Sequence, residues 1–239
     1  MYKKIELLSK KEHKDLRIDS LDNLEFAKEL RLVTLGLSEV SKLSSVLPII
    51  ISGGEEQQFI VFSALSNQDS YFTTNRCKDL YLPMSIKSYP FIMVDSHEEG
   101  NEERKFRAVA IDAKSDFVGK SKKYKLFVED GKLGQFSQSK VSMVQNFDKD
   151  KANSQRLISS LKEYNLLDKR SFEIKIEDGS TKSLLSDFYV VNKSRLLELD
   201  DEIIVQWAKN GWLFVIESHI KSIENINTLL TQLIKKSEK

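Results

Sequence analysis

One cysteine, three prolines and three histidines are all that this 239-residue chain holds of those types. Cys77 stands alone, which excludes an intrachain disulfide and a thiolate metal cluster and suits a reducing compartment. No apolar stretch approaches the roughly 20 residues of a membrane span. At the N-terminus Glu6 and then Lys10, Lys11 and Glu12 interrupt the apolar core that a signal peptide needs. A cytoplasmic, soluble protein without a membrane span is expected. An excess of one charge is missing too: 37 Lys and Arg face 36 Asp and Glu, a net charge of +1. No nucleic-acid partner is expected from that balance, and the short basic run Lys120 to Lys125 reads as a solvated loop before a strand.

Familiar catalytic patterns are also absent. There is no Gly-rich phosphate loop after a strand, no Gly-x-Ser-x-Gly elbow and no His-Glu-x-x-His. Zinc sites need three or four nitrogen or sulfur ligands at fixed geometry, and no two histidines share a helix face here. No EF-hand spacing appears either. The nearest approach, Asp95-Ser96-His97-Glu98-Glu99, reads as part of a polar, acidic loop over about 95–103. No metal and no cofactor are expected.

What is present is an ordinary globular composition, 40% hydrophobic and 31% charged, long enough to bury a real core. A single domain over 1–239 is expected, with a possible subdivision near 146–154, where 147–154 is the most linker-like stretch. The stretch Tyr81 to Phe91 carries two of the three prolines, two tyrosines and a phenylalanine. Each proline pushes its predecessor out of the helical region, so Leu82 and Tyr89 should be extended around one short turn. Pro90 to Val94 then reads as a buried strand, and Tyr81, Tyr89 and Phe91 as buried.

Short strands are expected at 2–8 and 16–18, around a polar turn containing His13. Ser38 is placed to cap a helix carrying Val40, Leu43, Val46 and Leu47. Pro48-Ile49-Ile50-Ile51 and Phe59-Ile60-Val61-Phe62 form a hairpin through Gly53-Gly54. Strands also fall at 105–111 and 188–191. Asp130-Gly131 and Asp178-Gly179 supply hairpin turns. Leu157, Ile158, Leu161 and Tyr164 mark a helix from about 150 to 167. Asp200 or Asp201 begins another that carries Ile203, Ile204 and Trp207 and ends at Gly211. Trp212 to Ile216 fits either a strand or a buried helical turn, and a final amphipathic helix runs from Ile220 to Leu233. The fold class is α+β: a strand-rich N-terminal part with antiparallel hairpins, then a mixed, mainly helical C-terminal part.

Among the histidines, His219 precedes an apolar helix and follows Glu217 and Ser218. It reads as a hydrogen-bonded anchor for that helix, or else as a ligand or general base with His13 and Glu39 as partners.

Scattered signatures in the right order resemble the SapC family of bacterial proteins associated with surface-layer systems. His13 stands in the early Ser-x-x-x-His segment, and Glu39 with Pro48-Ile49 matches a Glu, then Pro-Ile block. Tyr81-Leu82-Pro83 and Tyr89-Pro90-Phe91 are the most specific match. Leu126, Phe127, Glu129 and Gly131 follow its Leu-Phe-x-acid-x-Gly turn. Leu166-Leu167 and then Gly211, Leu213, His219 and Ser222 resemble its closing segment. Lys87 replaces the usual arginine, a tryptophan before Tyr-x-Pro is missing, and Asn192 stands where an aspartate is common. The resemblance implies a link to S-layer systems and to secretion or peptide modification, without an established reaction.

Candidate binding residues are therefore His13, Glu39, Tyr81, Tyr89, His219 and Ser222. The preferred expectation is a non-enzymatic accessory protein that binds a polypeptide partner, an S-layer or secreted protein, in assembly or export. The alternative is a peptide-modifying enzyme, or an enzyme's partner, with a pocket around His219, His13 and Glu39.

Overall fold

The computed structural model describes residues 1–64, 70–73, 81–98, 101–175, 179–227 and 229; Cys77 and the turn residues Ile176 to Asp178 lie outside them. In chain order the elements begin with strand β1 (Ile5–Leu7), the one-turn helix α1 (Lys10–His13) and β2 (Arg17–Ile18). Next come β3 (Leu32–Thr34), a 3-10 turn over Leu37–Glu39, α2 (Val40–Leu43), β4 (Ile49–Ile51) and β5 (Phe59–Phe62). Helix α3 (Met84–Lys87) leads to the long strands β6 (Phe91–Glu98) and β7 (Asn101–Asp112), then β8 (Val118–Gly119) and β9 (Tyr124–Lys125). Helix α4 (Gln135–Glu163), β10 (Leu167–Lys175) and β11 (Thr181–Val191) precede α5 (Lys193–Leu196), α6 (Asp201–Lys209) and α7 (Trp212–Ser222). The class is α+β with antiparallel sheets.

Two compact units share these elements, and the division falls inside α4. The first comprises Met1–Ala27 and Met84–Lys149, the second Lys28–Pro83 and Asp150–Lys239. In the first unit β7 lies between β1 and β6, and β2 lies between β8 and β9. Cross-strand pairs Phe91–Ile111 and Met93–Val109 put four apolar side chains on one face. That face packs with Ile18, Leu126, Val141 and Val144, as the two-residue strand period and the helical period of α4 require. In the second unit the sheet order is β10-β11-β4-β5-β3. Its centre, Ile49–Ile51, is buried at every position, and α7 packs over β4 and β11.

The expected turn after Pro83 is α3, and Phe91 begins the expected strand. Tyr89 and Phe91 are buried at 2% and 0% exposure. Tyr81, however, is half-buried, and so are Ile92, Met93 and Val94. The hairpins at 48–64 and around Gly131 form as expected, with Gly131 at φ +82°.

Three expectations are corrected. Of the acidic loop expected at about 95–103, residues 95–98 and 101–103 instead belong to β6 and β7, with Asp95 opposite Arg107 and His97 opposite Lys105, and 99–100 lie outside the described residues. Asp95 and His97 are exposed there, so no apolar alternation marks the strand. The linker-like stretch 147–154 lies inside α4. Between Val144 and Ser154 the helix has no fully buried position, so the periodic signal lapses while the helix continues. Finally, the last helix starts well before Ile220, because the helical one of the two readings of Trp212 to Ile216 holds and that stretch opens α7.

Gly36 has tight surroundings. A Cβ there would come within 2.3 Å of an Asp150 carboxylate oxygen, and that carboxylate is fixed by the Ser38 backbone N–H at 3.0 Å and hydroxyl at 2.7 Å.

Candidate functional site

In the first unit, His13 closes α1 and is 1% exposed, so the polar turn expected around it is in fact a buried anchor. The Ser9 backbone N–H donates to its Nδ1 at 3.1 Å, and its Nε2 lies 3.1 Å from Glu6 Oε2. Nδ1 lies equally 3.1 Å from the Ser9 carbonyl oxygen, and Nε2–H donates to the Glu6 carboxylate, which can only accept. Lys4 Nζ takes the other Glu6 oxygen at 2.5 Å. The Lys4 and then His13 hydrogen bonds hold the Glu6 carboxyl below the usual range. With a Glu12 carboxylate oxygen, the His13 and Glu6 side chains offer three atoms of metal-ligating type within 4.8 Å of one another. Since His13 and both Glu6 oxygens are already engaged, the group reads as the tie between β1 and α1.

Tyr89 is in the same unit and donates its hydroxyl to Asp112 Oδ2 at 2.9 Å. Asp112, 0% exposed, also accepts the backbone N–H groups of Lys3 and Lys4 at 2.9 and 2.8 Å. The Tyr89 ring stacks on Phe26 at 4.4 Å and meets Phe117 edge-on at 6.0 Å. Burial first, and the Asp112 carboxylate beside it, push the phenol up to about 12. A buried, hydrogen-bonded phenol of this kind fastens the N-terminal strand to the core. Tyr89→Phe is expected to lower stability by about 2 kcal/mol, the cost of a hydrogen bond to a charged acceptor. Urea unfolding checks this; an unchanged midpoint would show that the hydroxyl fastens nothing.

In the second unit, Glu39 and Tyr81 are brought together. Glu39 is 0% exposed, and its Oε2 accepts the Gly36 N–H at 2.8 Å. The Tyr81 hydroxyl bonds to the same side chain. Burial, then Glu39, raises the Tyr81 phenol well above its ordinary range. The Lys42 ammonium sits over the Tyr81 ring, 4.5 Å from its centroid, a favourable cation–π distance. The carboxylate thus closes the turn before α2 and is covered by the phenol.

His219 and Ser222 are also in the second unit, one helical turn apart on α7. Strands β11 and β4 are paired at Tyr189–Ile51; two residues further along, the antiparallel register would set Val191 opposite Ile49. Instead, the Val191 N–H donates to His219 Nε2 at 3.2 Å and the Ile49 N–H donates to the Ser222 hydroxyl at 2.9 Å. That hydroxyl donates in turn to the His219 carbonyl at 2.7 Å. Two side chains of α7 therefore complete the ladder where the strands part, leaving neither amide orphaned. The ring meets Phe59 edge-on at 5.8 Å. Because Nε2 accepts, the proton of the neutral ring is on Nδ1, which makes no hydrogen bond of ordinary geometry among the described residues. Burial pushes the imidazole down to about 4, against a smaller opposing pull from the Ile49 backbone.

The candidates thus form pairs with separate structural partners: His13 with Glu6, Tyr89 with Asp112, Glu39 with Tyr81, and His219 with Ser222. Sequence reasoning missed Asp112 and Asp168, each a carboxylate on which several donors converge. Asp168 accepts from Arg170 at 3.2 Å, from Asn192 at 3.0 Å, and from Arg195. Asn192 also caps α5, its Oδ1 accepting the Arg195 N–H at 3.0 Å. Here the amide suits the site because it donates to a carboxylate that an aspartate would repel. Single acids carry no spacing pattern, so nothing local in the sequence marks either hub.

No helix among the described residues is long and apolar enough to cross a membrane. The family model that matches the chain is SapC, over residues 8–229, nearly its whole length. No curated protein and no solved structure matches.

Proposed function

The chain belongs to the SapC family, and on that premise we propose that it is a cytoplasmic, non-enzymatic accessory protein. Its role is to bind a polypeptide partner in the assembly or export of a bacterial surface layer. One observation carries the preference for binding over catalysis. His13, Glu39 and His219, the groups an enzyme would use, are 1%, 0% and 0% exposed, and each holds a strand or turn in place. A general base has to reach its substrate's proton, directly or through one water. A histidine whose Nε2 accepts a strand amide is occupied by the fold.

The test is affinity capture from the source cell with the tagged full chain, followed by rebinding of the purified captured polypeptide. A saturable one-to-one complex is expected. Failure of any captured polypeptide to rebind in purified form would overturn the reading.

A further inference from the structure

The second unit contains a groove of about 490 Å3 beside α7, on the outer part of its sheet. Asp168 pairs with Val190 and Arg170 with Phe188 across β10 and β11, so these four side chains share one face. Phe172, Val190, Ile220 and Ile223 give the groove an apolar floor, and all four are only half-buried. Strand β10 is the last of its sheet. From Leu167 to Arg170 it keeps a regular ladder with β11, and no strand among the described residues pairs with its outer edge.

Charge at the rim is unbalanced. Arg170 and Arg195 both bond to the one carboxylate of Asp168, which leaves a positive charge over. Arg195 Nε is buried and meets no acceptor among the described residues. Lys193 adds a further cation at the groove, 3.9 Å from Glu217.

We propose that this groove binds an extended, acidic segment of the polypeptide partner, one that places a bulky apolar side chain on the Phe172–Ile223 floor and a carboxylate against Arg170 and Lys193. The inference rests on the polypeptide-binding reading above and names where that partner sits. An extended strand can lie along the free edge of β10 while its alternate side chains enter the groove. Excess guanidinium charge at the rim selects carboxylates over ammonium groups, since like charges brought together are costly.

The experiment is fluorescence anisotropy on the full chain at low ionic strength. The probes are two labelled decapeptides of alternating glutamate and valine with a central phenylalanine, the second carrying lysine for glutamate. The acidic peptide is expected to bind at least about tenfold more tightly than the basic one, in line with charge complementarity. Arg170→Glu and Lys193→Glu should each remove that preference. Both side chains are well exposed, at 61% and 57%, and thermal melts of the variants check that they stay folded. No binding, equal binding of the two peptides, or unchanged preference in both variants would overturn the proposal. The captured natural partner separates this failure from that of the functional reading: if it binds wild type and Arg170→Glu equally, the groove is excluded while polypeptide binding stands.

Discussion

Replacing Phe91 by alanine is expected to destabilise the first unit by about 3–5 kcal/mol, the range for a fully buried phenylalanine. Phe91 is 0% exposed and lies opposite Ile111 at the start of the β6–β7 ribbon. It packs in the cluster formed by Ile18, Leu126, Val141 and Val144. Truncation removes apolar area from that cluster and leaves a cavity between a sheet and a long helix, both of which resist collapse. A thermal melt within a degree or two of wild type would contradict the packing described. Phe106 serves as a control on the same ribbon. It is 48% exposed, so its truncation to alanine should move the melt little.

The second large effect is acid destabilisation through His219. Its folded-state value is depressed from 6.5 to about 4 by burial. In the unfolded chain the imidazole takes up a proton as pH falls through about 6.5, whereas the native ring stays neutral. Stability is therefore complete above that value and declines as pH falls toward 4, where the native ring protonates as well. At about 1.36 kcal/mol per unit, the loss over this window is about 3 kcal/mol. Urea unfolding at pH 7 and pH 4.5 measures it, with His219→Gln as the reference that lacks the group. A wild type whose stability follows the variant's pH profile would show that the ring is not buried in its neutral form.

Much of the fold was legible because apolar periodicity reported it. Ile49 to Ile51, Phe59 to Phe62 and the helix from Leu157 to Leu161 all bury side chains at the spacing their element requires. The signal failed where elements continue without fully burying a side chain, at Asp95 to His97 of β6 and across the polar middle of α4. Propensity and connectivity, rather than local burial, keep such segments regular.

The candidate site was legible in a different sense. The resemblance pointed to His13, Glu39, Tyr81, Tyr89, His219 and Ser222, and the structure joins four of them in pairs, Glu39 with Tyr81 and His219 with Ser222. Their chemistry was not legible, because a histidine or glutamate in a sequence does not show whether its polar atoms face solvent or a strand amide. The His219–Ser222 spacing is that of one helical turn, but its purpose depends on β4 and β11 parting at Ile49 and Val191. That is a non-local event. The groove over β10 was missed for the same reason, since its charges come from Arg170 on β10 and from Lys193 and Arg195 on α5, and Arg170 and Arg195 meet only at Asp168.

Binding without chemistry is the central claim, and intact mass measurement of the captured polypeptide tests it most directly. The purified polypeptide is incubated with a small fraction of its own concentration of this protein and then weighed. An unchanged mass, together with a one-to-one complex when the two are mixed in equal amounts, is the result predicted here. A mass change that accumulates over many turnovers and disappears with His219→Gln would contradict it.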